Sequence, residues 1–149
     1  MAHNSSSRAV GIGRVLIAVY AILAIAATAR SAVQIIERFE EAPLAYSLSA
    51  AAAVVYIVAT VALLGKGRGW YIVALVAICF ELVGVLTIGV LSLVMPELFA
   101  HASVWSYFGS GYIFIPLLLP ILGLVWLFAR RPSADERSSS ESVAAVEMP

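Results

Sequence analysis

"AATARSAVQIIERFEE", residues 26–41, places an arginine inside an apolar run, and the reading of that arginine sets the number of helices in the chain. Ahead of it, residues 15–29 carry no charged side chain; behind it come Ala32, Val33, Ile35 and Ile36. Three readings compete. Ala27, Thr28 and Ala29 form an A-x-A cleavage pattern, with Arg8 and Arg14 as the basic flank and residues 15–26 as the apolar segment of a signal peptide. Arg30 can instead snorkel to a membrane surface, or work as a charge inside a helix bundle. Cleavage would leave three spans. A signal peptide has no need of the apolar residues that resume after Arg30, whereas a helix crossing to the far surface needs them, so a retained first span is expected.

The rest of the sequence places this helix in a membrane. Of the 149 residues, 62% are apolar and 12% charged, against about 25% charged in soluble domains. A hydrocarbon core about 30 Å thick takes about 20 apolar residues per helix. The expected spans are residues 13–36, 44–64, 70–95 and 110–129, within a transmembrane domain of residues 12–131. Residues 1–11 form a short N-terminal segment, and the Ser-rich residues 132–149 a disordered tail. The fold class is all-α, a polytopic membrane protein with a four-transmembrane-helix bundle. The formal net charge of zero gives no reason to expect a nucleic-acid partner. Cys79 is the single cysteine, which excludes an intrachain disulfide and a paired-cysteine redox centre; it reads as a small buried hydrophobe.

Basic residues sort by loop. Arg8 and Arg14 precede the first span, Lys66 and Arg68 sit in "GKGRG" between the second and third, and Arg130, Arg131 and Arg137 follow the fourth. The other two connections are acidic or neutral. With positive residues on the cytoplasmic side, both termini are cytoplasmic and the protein is a multi-pass component of the plasma (cell) membrane. Trp70, Tyr71 and Trp126 then mark the inner ends. Pro43 suits the first turn of the second helix, and Pro116 and Pro120 each remove a backbone donor in the fourth.

Intramembrane charges are costly and need partners. Glu81 lies about 15 Å from the inner aromatic pair at a rise of about 1.5 Å per residue, near the midplane. Ala74, Ala77, Gly84 and Ile88 share its helical face, so the carboxyl points toward another helix. Arg30, with Gln34 above it, sits in the outer half of the first span. A height difference of about 7–8 Å puts an Arg30–Glu81 pair at the limit of reach. The readings are a buried ion pair that sets register, a proton or ligand pathway through Arg30, Gln34 and Glu81, or a snorkelling Arg30 with Glu81 protonated. The second outer loop offers Glu97, His101, Trp105 and Tyr107. One histidine with one carboxylate is too few for a metal centre. Lying along the outer interface is the plain reading of this aromatic loop, and contact with a partner or lipid the sharper one.

The runs "EAPLAYSLSAAAAVVYIVATVALL", "ELVGVLTIGVLSLV" and "VWSYFGSGYIFIPLLLPILGLVWL" resemble a group of small actinobacterial integral membrane proteins, over residues 12–129. "ELVG" within a span is also similar to DoxX-like four-helix proteins, where the motif belongs to an earlier helix. The resemblance implies a topology and no activity. With no cysteine pair, histidine cluster or nucleophile–base set, no enzyme and no cofactor are expected. The leading expectation is an accessory or interaction subunit of a membrane assembly, whose partners are the lipid bilayer and other membrane proteins or a second copy. The alternative is a small transporter or proton/ion pathway using Glu81 and Arg30.

Overall fold

The computed structural model describes residues 3–130 and 142–147, with side chains from residue 10 onward. Four α-helices account for most of it: α1 (His3–Arg38), α2 (Pro43–Leu64), α3 (Arg68–Val94) and α4 (Ile115–Ala129). There is no strand among the described residues. Three helices are long and apolar enough to cross a membrane, and a fourth span exists if the bent segment before α4 is counted with it.

The boundaries follow local chemistry. Pro43 opens α2, where its missing N–H costs nothing. Gly65 closes it, its N–H reaching the carbonyls of Val61 and Ala62. The Trp70 ring lies so close over Gly65 that a Cβ there would sit 2.3 Å from it. Gly67, with φ of 100°, turns the chain into α3. α1 runs unbroken through Ala27, Thr28 and Ala29 and reaches back to His3, where a short N-terminal segment outside the helix was expected. Extending an existing helix adds one hydrogen bond per residue without a new nucleation cost, and no proline interrupts these residues. In the tail, residues 142–146 are helical, with Glu147 N–H bonded to Val143 O at 3.2 Å. The expected disorder of residues 132–149 otherwise falls outside the described residues.

α1 packs along α2, α2 along α3 and α3 along α4, and α4 touches α1 to close the ring. α1 and α3 therefore stand on a diagonal, without extended backbone contact. The interior is built largely from small side chains: Ala45, Ser49, Ala52 and Ala53 of α2 and Ala74 and Ala77 of α3 are all buried, which lets the helices approach closely. Cys79 faces outward, contrary to the buried position expected for it; the inward face of α3 is set by Ala74, Ala77, Ile78, Glu81 and Val85.

The fourth span departs most from expectation. α4 starts at Ile115, and its 15 residues cover only about 22 Å. The preceding turn, Ser106–Tyr112, meets it at 98°. Tyr107, Phe108, Ile113 and Phe114 all take positive φ, between 50° and 59°. Left-handed backbone costs a non-glycine residue roughly 1–2 kcal/mol, and Ile113 is β-branched, the least tolerant kind. Pro116 falls in the first turn of α4, so Pro120 alone removes an interior helix bond.

Candidate functional site

Glu81 is the middle residue of α3 and is 0% exposed. Tyr20, on the diagonal helix α1, donates its phenol O–H to Glu81 Oε2 at 2.7 Å. Glu81 Oε1 has no hydrogen-bond partner. Tyr56 of α2 is also fully buried, its ring 6.3 Å from that of Tyr20 and tilted by 51°. Trp105, from the connection between α3 and α4, donates its indole N–H to the Tyr56 hydroxyl oxygen at 3.1 Å. One carboxyl, two phenols and an indole from three helices and a loop thus meet at mid-bundle. Two glycines open the space for them. A Cβ on Gly84 would fall 2.7 Å from the Trp105 ring, and one on Gly123 would fall 3.2 Å from Ile78 Cδ1 and 3.5 Å from the Tyr20 oxygen.

The expected Arg30–Glu81 pair is absent. Arg30 Nη2 donates to Ala102 O at 3.0 Å, and its Cζ lies 5.8 Å from the centre of the Tyr112 ring. Tyr20 marks the level of Glu81 on α1, and Arg30 is ten positions further along, about 15 Å higher at the helical rise. The sequence alone put this difference at about 7–8 Å, short of what the register of Tyr20 against Glu81 gives. The diagonal placement of α1 and α3 widens the gap further. Gln34 stays on the upper part of α1, half-buried, its Oε1 without a partner. Arg30, Gln34 and Glu81 therefore do not form one cluster.

The loop expected along the outer interface instead enters the bundle. Phe99, Ser103, Val104, Trp105 and Ser106 are buried. Ser103 and Ser106 satisfy each other: Ser103 N–H donates to Ser106 Oγ at 2.9 Å, and Ser106 N–H to Ser103 Oγ at 3.2 Å. Val104 N–H reaches Ser49 Oγ of α2 at 3.3 Å, while the Ser49 hydroxyl donates to Ala45 O. Phe108 packs against Gly89, where a Cβ would come within 2.4 Å of the ring. An indole has an apolar body and one donor, and the Gly84 gap and the Tyr56 hydroxyl answer both. This inward pull explains the left-handed run at Tyr107, Phe108 and Gly109. Of the other loop candidates, Tyr107 is half-buried, Glu97 is exposed, and His101 is exposed with its ring 6.1 Å from that of Tyr46. No group of three or more potential metal ligands occurs among the described residues.

Tyr20 and Tyr56 were not singled out from the sequence, although a signal was present. Membrane tyrosines concentrate at the interfaces, and these two lie in the middle of their spans. A buried phenol needs a hydrogen-bond partner, and Glu81 was the one mid-span carboxyl available. The buried loop residues had no such signal, because a loop of this composition reads equally well as interfacial. No family model, curated protein or solved structure matches the chain.

Proposed function

We propose that this chain is a four-span protein of the cell membrane, both termini cytoplasmic, serving as an accessory or interaction subunit of a membrane assembly. The observation that carries this reading is the enclosure of Glu81. The carboxyl is 0% exposed, takes its hydrogen bond from another helix, and lies beneath a loop whose tryptophan is itself buried. A carboxylate in a conducting path must meet water or substrate; one sealed by packing fixes the arrangement of helices. Seven of the nine basic residues fall at the ends this orientation makes cytoplasmic. The reading assigns no reaction to the chain and requires no cofactor.

The test is crosslinking in membranes followed by purification in mild detergent. A stoichiometric membrane partner, or a mass corresponding to more than one copy, is expected. A chain that purifies alone and as a monomer contradicts the reading.

A second reading, a proton or ion pathway, is favoured by one observation: Glu81 Oε1 lacks a partner, and such an atom inside a membrane bundle is an unused acceptor open to a proton, a cation or an incoming donor. Proteoliposome flux separates the two. A pathway demands flux that Glu81→Gln abolishes while the fold survives; the accessory reading expects no flux in either form.

A further inference from the structure

At the end where α2 turns into α3, these helices and the last turn of α4 border an open cleft of about 480 Å³. Small-molecule sites run from about 300 to 1,000 Å³. Two arginines line it, Arg68 at the start of α3 and Arg130 just past α4, and no acidic residue does. Arg130 Cζ lies 4.9 Å from the centre of the Trp126 ring, a cation–π contact that holds the group at the rim. Arg68 has no hydrogen bond or ion pair with any described residue. Deeper in, the walls are apolar: Ala62, Ala74 and Leu127 are buried. Tyr71 donates its hydroxyl to Leu127 O at 3.1 Å, tying α3 to α4 beside the cleft. The space is thus cationic at the mouth and apolar inside.

We propose that this cleft binds one anionic glycerophospholipid, with the headgroup phosphate between Arg68 and Arg130 and the first acyl carbons against the alanine and leucine walls. Arginine suits phosphate because its fork of N–H donors matches two phosphate oxygens at once. Basic pockets between spans at the cytoplasmic face take anionic headgroups. The apolar walls select a lipid over a free anion, which would leave them uncovered. The proposal rests on the chain spanning a membrane. It is independent of the accessory role.

The experiment is native mass spectrometry of the full chain in mild detergent, mixed with equal amounts of phosphatidylglycerol and phosphatidylcholine. One phosphatidylglycerol per chain is expected to survive conditions that strip phosphatidylcholine. Arg68→Gln with Arg130→Gln should lower its occupancy about tenfold or more. Lys66→Gln, in the same turn but outside the cleft lining, should leave it unchanged. Leu63→Trp, which fills the cleft and keeps both charges, should also expel the lipid. Equal retention of the two lipids overturns the proposal. So does a loss with Lys66→Gln as large as with the arginine pair, which would mean diffuse charge attraction. Displacement of the lipid by millimolar inorganic phosphate would assign the site to a free anion instead. An intact far-ultraviolet helix signal in each variant separates these results from misfolding.

Discussion

Tyr20 and Glu81 stand on diagonal helices that share no extended backbone contact, yet the phenol oxygen of one lies 2.7 Å from a carboxyl oxygen of the other. The bridge joins α1 to α3 through the middle of the bundle, between side chains that are both 0% exposed. A diagonal contact of this kind constrains all four helices, because neither member can shift without moving the helices packed between them. Beside this bridge the Tyr56 ring of α2 packs against that of Tyr20, and the Tyr56 hydroxyl accepts the Trp105 indole N–H from the loop before α4.

Loss of the first 29 residues would remove Tyr20 and leave both Glu81 oxygens without a partner. Intact-mass measurement of protein extracted from membranes should therefore find residues 1–29 present. A mass beginning at Arg30 would mean that the α1 described here does not exist in the mature chain.

The orientation can be read by cysteine labelling in a Cys79→Ala background. Gly69 and Gly111 are exposed, and a Cβ at either meets nothing within 4 Å, so Gly69→Cys and Gly111→Cys should both fold. Ser103 is 5% exposed and unsuited to the purpose. Position 69 should label from the cytoplasm alone and position 111 from outside alone; the reverse pattern would invert the topology.

Trp105 distinguishes a loop that rests on a surface from one that fills a core. A surface loop would make Trp105→Ala nearly neutral. Buried to 3% over Gly84, the ring should cost about 3–5 kcal/mol on truncation, the range for aromatic residues in cores. Gly84→Leu should produce a comparable loss by overfilling the same gap. Thermal unfolding in detergent measures both, and a change under about 0.5 kcal/mol for Trp105→Ala, the size of an ordinary surface substitution, would refute the inserted loop.

Arg30 provides a negative control. It meets Ala102 O and the Tyr112 ring, not Glu81. Arg30→Gln and Glu81→Leu should therefore be additive in stability, within about 0.3–0.5 kcal/mol. Coupling beyond that would restore the ion pair that the sequence suggested.

The helices themselves were legible in the sequence because apolar length is a strong signal, and α2 and α3 begin and end within two residues of the expected positions. The inward face of α3 was legible for the same reason: Ala74, Ala77, Glu81, Gly84 and Ile88 recur at helical spacing. The partner of Glu81 was not. Electrostatic intuition favours a cation for a carboxylate, and Arg30 was the nearest in sequence-derived height. The choice of Tyr20 depends on the register of α1 against α3, which no local pattern encodes. The start of α4 was missed for a related reason. Residues 110–114 are apolar enough for a span, but the pull of Trp105 and Phe108 toward Gly84 and Gly89 is a tertiary effect that overrides their local preference.

The Tyr20–Glu81 bridge is tested most directly by a double-mutant cycle with Tyr20→Phe and Glu81→Leu, read as thermal stability in detergent. Tyr20→Phe leaves the carboxyl with no partner, and Glu81→Leu leaves a buried phenol without its acceptor, so each should destabilise by about 1–3 kcal/mol. The double variant removes both polar groups from the seam and should recover most of that loss, as apolar replacement of a buried polar pair commonly does. A double variant well above the additive expectation is the predicted result. Strict additivity, within about 0.3–0.5 kcal/mol, would show that the two side chains do not act on each other and would contradict a bundle held at its centre by this contact.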